Sequence, residues 1–72
     1  MEITKKLAML EEVMELDEGT LKPEMLLEEI EEYDSLAKLG LIVLMSDEFS
    51  KQLSYDGIMQ FKTVQDILDY MD

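Results

Sequence analysis

One segment limits the possible folds of this chain more than any other. From Leu36 to Phe49 the residues are apolar nearly all round a helix: Leu36, Leu39, Leu41, Ile42, Val43, Leu44, Met45 and Phe49 leave no polar face. Asp34 and Ser35 stand just ahead of it and make a good helix start. Either side chain can accept a hydrogen bond from the free N–H groups of the first turn. A helix running from there to about Ser50, without a solvent side, must touch several neighbours. The chain has 72 residues from which to supply them, room for one domain spanning residues 1–72. A domain of that size buries only about 60% of the surface its unfolded chain exposes.

The neighbours are also helical. Residues 2–16 read as an amphipathic helix with Ile3, Leu7, Leu10 and Met14 at i, i+4, i+7 and i+11, and Glu11, Glu12 and Glu15 mostly off that stripe. Gly19 is a plausible stop. Thr20 to Glu24 reads as turn or loop around Pro23. From Met25 to Glu32 propensity favours helix, but Glu28, Glu29, Glu31 and Glu32 repel one another at helical spacing. Helix and loop both stay open there. Ser54 to Gln60 predicts one or two helical turns. Thr63 opens a last helix, with Asp66 forming a near capping box and Val64, Ile67, Leu68 and Met71 its buried stripe. Strand patterns and repeats are absent. The expected fold is all-α: a small bundle of three main helices plus one short helix, with a long loop at about 17–33 between the first two. Loops longer than about 12 residues are uncommon and often functional.

Composition narrows the chemistry. There is no Cys and no His, and the 6 basic residues are all Lys. Ser–His and Cys–His catalysis, imidazole metal sites and arginine clamps are all excluded. The 18 acidic residues bring the formal charge to −12, while 47% hydrophobic residues is a globular proportion. So negative a field repels nucleic acid and anionic membranes and attracts basic protein surfaces. After Lys5 and Lys6 the apolar stretch is broken by Glu11 and Glu12, before a signal-peptide core can form. The longest apolar run, Leu41 to Met45, is far too short for a membrane span. The expectation is a cytoplasmic monomer that binds neither nucleic acid nor membrane.

Other constellations fail on spacing. Neither Glu28 to Asp34 nor Asp47 to Gly57 has the alternating acids of a calcium loop. The Glu28–Glu32 cluster is either a solvated acidic surface or a weak, diffuse attractor of divalent cations. Paired-carboxylate hydrolysis needs a cleft that so short a chain can hardly build. The 3 glycines are scattered, so there is no phosphate-cradling loop. The 7 methionines sit mostly at helix-core spacing, which favours packing over a soft peptide groove.

What survives is Asp34-Ser35-Leu36 at the head of the apolar helix. Alone, a serine there is usually only a cap. Its setting adds more. The stretch from Tyr33 to Phe49, through Ala37, Lys38, Leu39, Gly40, Leu41 and on to Asp47 and Glu48, resembles the second helix of acyl carrier proteins. The likeness continues through Leu53 and into Lys62 to Met71, which looks like that family's fourth helix. Upstream, Thr20 to Glu24 and Leu27 to Tyr33 match more loosely. An aromatic residue just before Asp-Ser-Leu resembles specialised stand-alone carriers.

The resemblance implies that a phosphopantetheinyl transferase attaches 4′-phosphopantetheine to Ser35, with Asp34 as the flanking acid that helps the transferase and its magnesium engage. The arm's thiol would then carry an acyl or aminoacyl group as a thioester to acyl-loading and acyl-accepting enzymes with basic surfaces. No catalysis by the chain itself is implied. Family partners dock on the second helix, where Leu36, Gly40, Val43 and Asp47 share a face by spacing. Leu36 and Val43 are therefore docking candidates together with Asp47, or else ordinary core residues. One departure stands out. Carriers of central fatty acid synthesis have acids soon after the serine, where this chain has Ala37, Lys38 and Gly40. That points to a dedicated partner set in a specialised pathway. The competing reading is an acidic helical protein-interaction module with no prosthetic group.

Overall fold

Helical periodicity and capping residues decide where the elements start and stop in the computed structural model, which describes residues 2–71. The helices are α1 (Ile3–Met14), α2 (Ser35–Phe49), α3 (Tyr55–Gln60) and α4 (Val64–Tyr70), with one 3-10 turn at Leu27–Glu29. Among the described residues there is no strand, only an isolated antiparallel bridge between Leu26 and Thr63. The all-α bundle with one short helix is therefore what forms. α1 packs on α2 and α4, and α2 also meets α3. None of the helices among the described residues is long and apolar enough to cross a membrane.

α1 departs from its expected stripe in two places. Leu10 and Met14 are buried and Leu7 is half-buried, but Ile3 is exposed, while Lys6 and Glu11 are buried. The helix also ends ahead of Gly19. Glu15 adopts a left-handed conformation (φ 57°), and its N–H turns back to the carbonyls of Glu11 and Glu12. Gly19, at φ +86°, instead serves a later turn in which Thr20 donates to the Asp17 carbonyl.

The long connection is tied down at several points. The buried Glu11 carboxylate accepts the Leu21 N–H at 3.0 Å. The carbonyls of Pro23 and Met25 accept from Gln65 and Val64 at 2.9 and 3.0 Å, and the Leu27 N–H donates to the Lys62 carbonyl at 2.9 Å. Leu21, Leu27 and Ile30 enter the core from this segment. Of the helix left open over Met25–Glu32, only the 3-10 turn forms, and Glu28, Glu29, Glu31 and Glu32 are all exposed. Exposure keeps these like charges in water, where their repulsion is weakest.

α2 supplies the centre of the core through Ala37, Leu41 and Met45, one turn apart on one seam. Gly40 lets α1 approach closely: a Cβ there would lie 3.2 Å from Val13 Cγ1. The expectation that α2 has no solvent side fails. Leu36, Leu39 and Val43 are 79%, 57% and 55% exposed. The three other helices do not surround α2, so an apolar face stays open.

The C-terminal half closes through caps and aromatics. Ser54 Oγ accepts the Gly57 N–H to start α3. Thr63 and Asp66 form the full capping box of α4. Phe61 and Tyr70 meet edge to face at 5.6 Å, and Lys51 Nζ donates to the Tyr70 carbonyl. Met14, Met45 and Met71 are buried as packing residues, whereas Met59 is exposed.

Candidate functional site

The start of α2 separates two roles that the sequence left to either of two side chains. Asp34, in extended conformation, is the N-cap: its Oδ1 accepts the Ala37 N–H at 2.9 Å and its carbonyl accepts from Lys38 at 3.0 Å. Ser35 is the first helical residue and is exposed. Among the described residues, none hydrogen-bonds the Ser35 hydroxyl. The cap is therefore Asp34 and not the serine.

The surroundings favour an anionic attachment at that hydroxyl. The first N–H groups of a helix have no intrahelical acceptor, and the N-terminal end of the helix dipole is positive. Lys38 lies one turn along and half-buried, its Nζ 5.3 Å from the centre of the Tyr33 ring. A flexible phosphodiester-linked arm fits here, because the oxygen is open to solvent and nothing has to be displaced to reach it. The sequence offers no His or Cys base to activate Ser35.

Two clefts are lined in part by sequence neighbours of the serine. One, of about 370 Å³, is lined by Val13, Glu32, Asp34 and Leu36 among others. The second, of about 200 Å³, lies between the 3-10 turn and α3 and includes Tyr33 and Lys38. Burial, reinforced by nearby Tyr55, pushes the Tyr33 phenol up to about 12. Among the described residues no three acidic side chains converge into a metal-ligand set.

Asp34, Ser35 and Leu36 are contiguous, and Val43 and Asp47 are exposed further along α2. Gly40 does not belong with them, because its missing side chain faces Val13 of α1. Leu39 does belong, and i, i+3, i+7 spacing with Leu36 and Val43 would have found it. Tyr55 and Met59 of α3 are exposed too, 48% and 59%. Nothing in the local sequence signals that exposure, since it depends on which side of so short a helix meets α2.

The described residues thus form a small helical bundle that presents an exposed serine at the head of its longest helix. The acyl carrier protein of Phytoplasma mali (strain AT) is 33% identical over 60 residues, covering 83% of this chain and 71% of that protein. The chain belongs to the acyl carrier protein family. No family model and no solved structure matches it.

Proposed function

We propose that residues 1–72 act as one carrier domain, with 4′-phosphopantetheine joined through its phosphate to Ser35 Oγ. When bound, that arm supplies a terminal thiol that holds an acyl or aminoacyl group as a thioester. The observation that carries this reading is the division of labour at the head of α2. Asp34 takes the cap, and the exposed Ser35 hydroxyl is left without a partner.

Each residue then has a part. The α2 N-terminus holds the arm's phosphate by its dipole and free N–H groups. Asp34 fixes the helix start and is the acidic neighbour that a phosphopantetheinyl transferase, with its magnesium, meets first. Leu36, Leu39 and Val43 offer an apolar patch beside the arm, and Asp47 ends the same side of the helix with a charge. Acyl-loading and acyl-accepting enzymes with basic surfaces would be drawn by the −12 charge and seated by that patch. Lys38 and Gly40, in place of acids after the serine, favour partners of a specialised pathway over those of central fatty acid synthesis. The cytoplasm, where coenzyme A and transferases meet, is the proposed location.

The test is direct. Protein incubated with coenzyme A, magnesium and a broad-specificity transferase gains one phosphopantetheine mass, and Ser35→Ala gains none. An equal gain by Ser35→Ala, or none by wild type with several transferases, removes the reading.

A further inference from the structure

A groove follows the seam between α1 and α2. Val13 closes its middle, packed so near Gly40 that a Cβ there would lie 3.2 Å from Val13 Cγ1. On one side of Val13 is a cleft of about 380 Å³ lined by Met9, Glu12, Val13, Leu44 and Glu48. On the other is the cleft of about 370 Å³ that Val13 shares with Glu15, Glu32, Asp34 and Leu36. The lining moves back along α2 as it moves forward along α1, so the helices are antiparallel and the two clefts lie in line. From Asp34 to Glu48 the groove follows about 20 Å of helix, or roughly four turns. Its floor is apolar and adaptable: Met9, Val13 and Leu44 are half-buried, and a methionine adjusts to the shape laid on it. Its rim is acidic: Glu12, Glu15, Glu32, Asp34 and Glu48 are exposed, and among the described residues no lysine lines either cleft.

We propose that this groove docks a basic amphipathic helix of a partner protein, about four turns long. Its apolar stripe lies on Met9, Val13 and Leu44, and its Lys or Arg side chains reach the acids on both rims. This is a second interface, separate from the exposed face of α2 that seats acyl-loading and acyl-accepting enzymes. Ser35, Leu39 and Val43 line neither cleft, and Leu36 alone borders both surfaces. Charge selects the occupant. A second copy of this chain would bring a further −12 against the carboxylates of the rim. A helix with cationic flanks meets both features of the groove. Burial of its stripe supplies affinity, and the facing carboxylates set its orientation and speed its approach. The methylene stems of Lys or Arg also cover the edges of the apolar floor. A partner held there leaves the outer face of α2 uncovered. The proposal does not depend on the carrier reading of Ser35.

The probe is a synthetic peptide of about 15 residues with leucines at helical spacing along one face and lysines flanking them. Its control has the same residues scrambled so that no stripe forms. Each is titrated into the full chain at physiological ionic strength while amide signals are followed by NMR. The striped peptide moves the signals of Met9, Val13 and Leu44 and binds at least about tenfold more tightly than the scramble, because it alone can bury an apolar face. Glu12→Lys combined with Glu48→Lys, both exposed positions, weakens binding at least about tenfold. Glu28→Lys combined with Glu31→Lys changes the net charge equally outside the groove and weakens it by no more than about threefold. Equal binding of the scramble, equal loss in the two double variants, or shifts confined to Leu39, Val43 and Tyr55 overturns the proposal. Self-association of wild type on sedimentation that moves the Val13 and Leu44 signals gives the groove to a second copy and overturns it too. Ser35→Ala binds the peptide as wild type does, so peptide binding and mass gain at Ser35 stand or fall separately.

Discussion

The carboxylate of Glu11 accepts the Leu21 N–H at 3.0 Å inside the core, where the two residues are only 4% and 2% exposed. This contact pins the start of the long connection to α1, ahead of the backbone bonds that tie its later part to Lys62, Val64 and Gln65. Glu11→Ala leaves the Leu21 N–H buried and unpaired, with an expected loss of about 1–3 kcal/mol. A domain of this length holds only about 4–11 kcal/mol in total, so that is a large share. Glu11→Gln keeps an acceptor oxygen and should stay within about 1 kcal/mol of wild type. Urea denaturation of the three proteins checks both figures. Equal stability of Glu11→Ala and wild type would show that the connection is held without this bond.

The cap assignment at α2 gives a second contrast. Asp34→Ala removes the acceptor for the Ala37 N–H and should cost about 0.5–2 kcal/mol. Ser35→Ala removes a hydroxyl without a partner and should change stability by no more than about 0.5 kcal/mol. Thermal melting of both variants separates them. A larger loss for Ser35→Ala than for Asp34→Ala would return the cap to the serine and weaken the case for its being spared.

Much of this architecture was readable from the residues because it rests on local rules. The capping box at Thr63 and Asp66, the start of α2 at Asp34 and the single turn-rich helix after Ser54 all follow from hydrogen bonds within a few residues. What escaped depends on distant partners. Glu11 reads as a solvent-facing acid until Leu21 is folded back onto it. Gly40 reads as part of an open face until Val13 is placed against it. The solvent side of α2 was hidden for the opposite reason: an all-apolar helix announces neighbours, but not how few the chain can provide. At the site, Ser35 and Asp34 were legible as a pair, while the burial of the Tyr33 hydroxyl, without a hydrogen-bond partner among the described residues, emerges only once the chain is folded.

Glu15 ends α1 in a left-handed conformation at φ 57°, a region costing a non-glycine residue about 1–2 kcal/mol. Its carboxylate also lies at the negative end of the helix dipole, unfavourable by about 0.3–1 kcal/mol before screening. Glu15→Gly relieves both and should raise stability by about 0.5–1 kcal/mol net of the added freedom of the unfolded chain. Glu15→Asn, which tolerates the same conformation and removes the same charge, should gain less. Denaturation midpoints of the two variants test the ordering, and a destabilised Glu15→Gly would mean that the helix stop is set by other contacts.

Asp66 supplies the clearest pH dependence. Its carboxylate accepts the backbone N–H groups of Lys62 and Thr63 at 2.9 and 3.1 Å, and these bonds, Lys62 first, hold its pKa below the usual value of 3.8. A carboxyl whose pKa is lower folded than unfolded stabilises the protein above the unfolded value and loses that contribution as pH falls through the folded one. The background charge of −12 changes over the same range as other acids protonate, so wild type alone would mix the two effects. The difference between wild type and Asp66→Asn isolates the cap. That difference should be constant from neutral pH down to about 5, begin to shrink as the unfolded carboxyl titrates around 3.8, and keep shrinking until the folded one is protonated. Chemical denaturation at intervals from pH 7 to about 2.5 measures it against the window in which the bonded carboxylate takes up its proton. A difference that is unchanged down to the lowest pH would show that the charge of Asp66 adds nothing to the α4 cap.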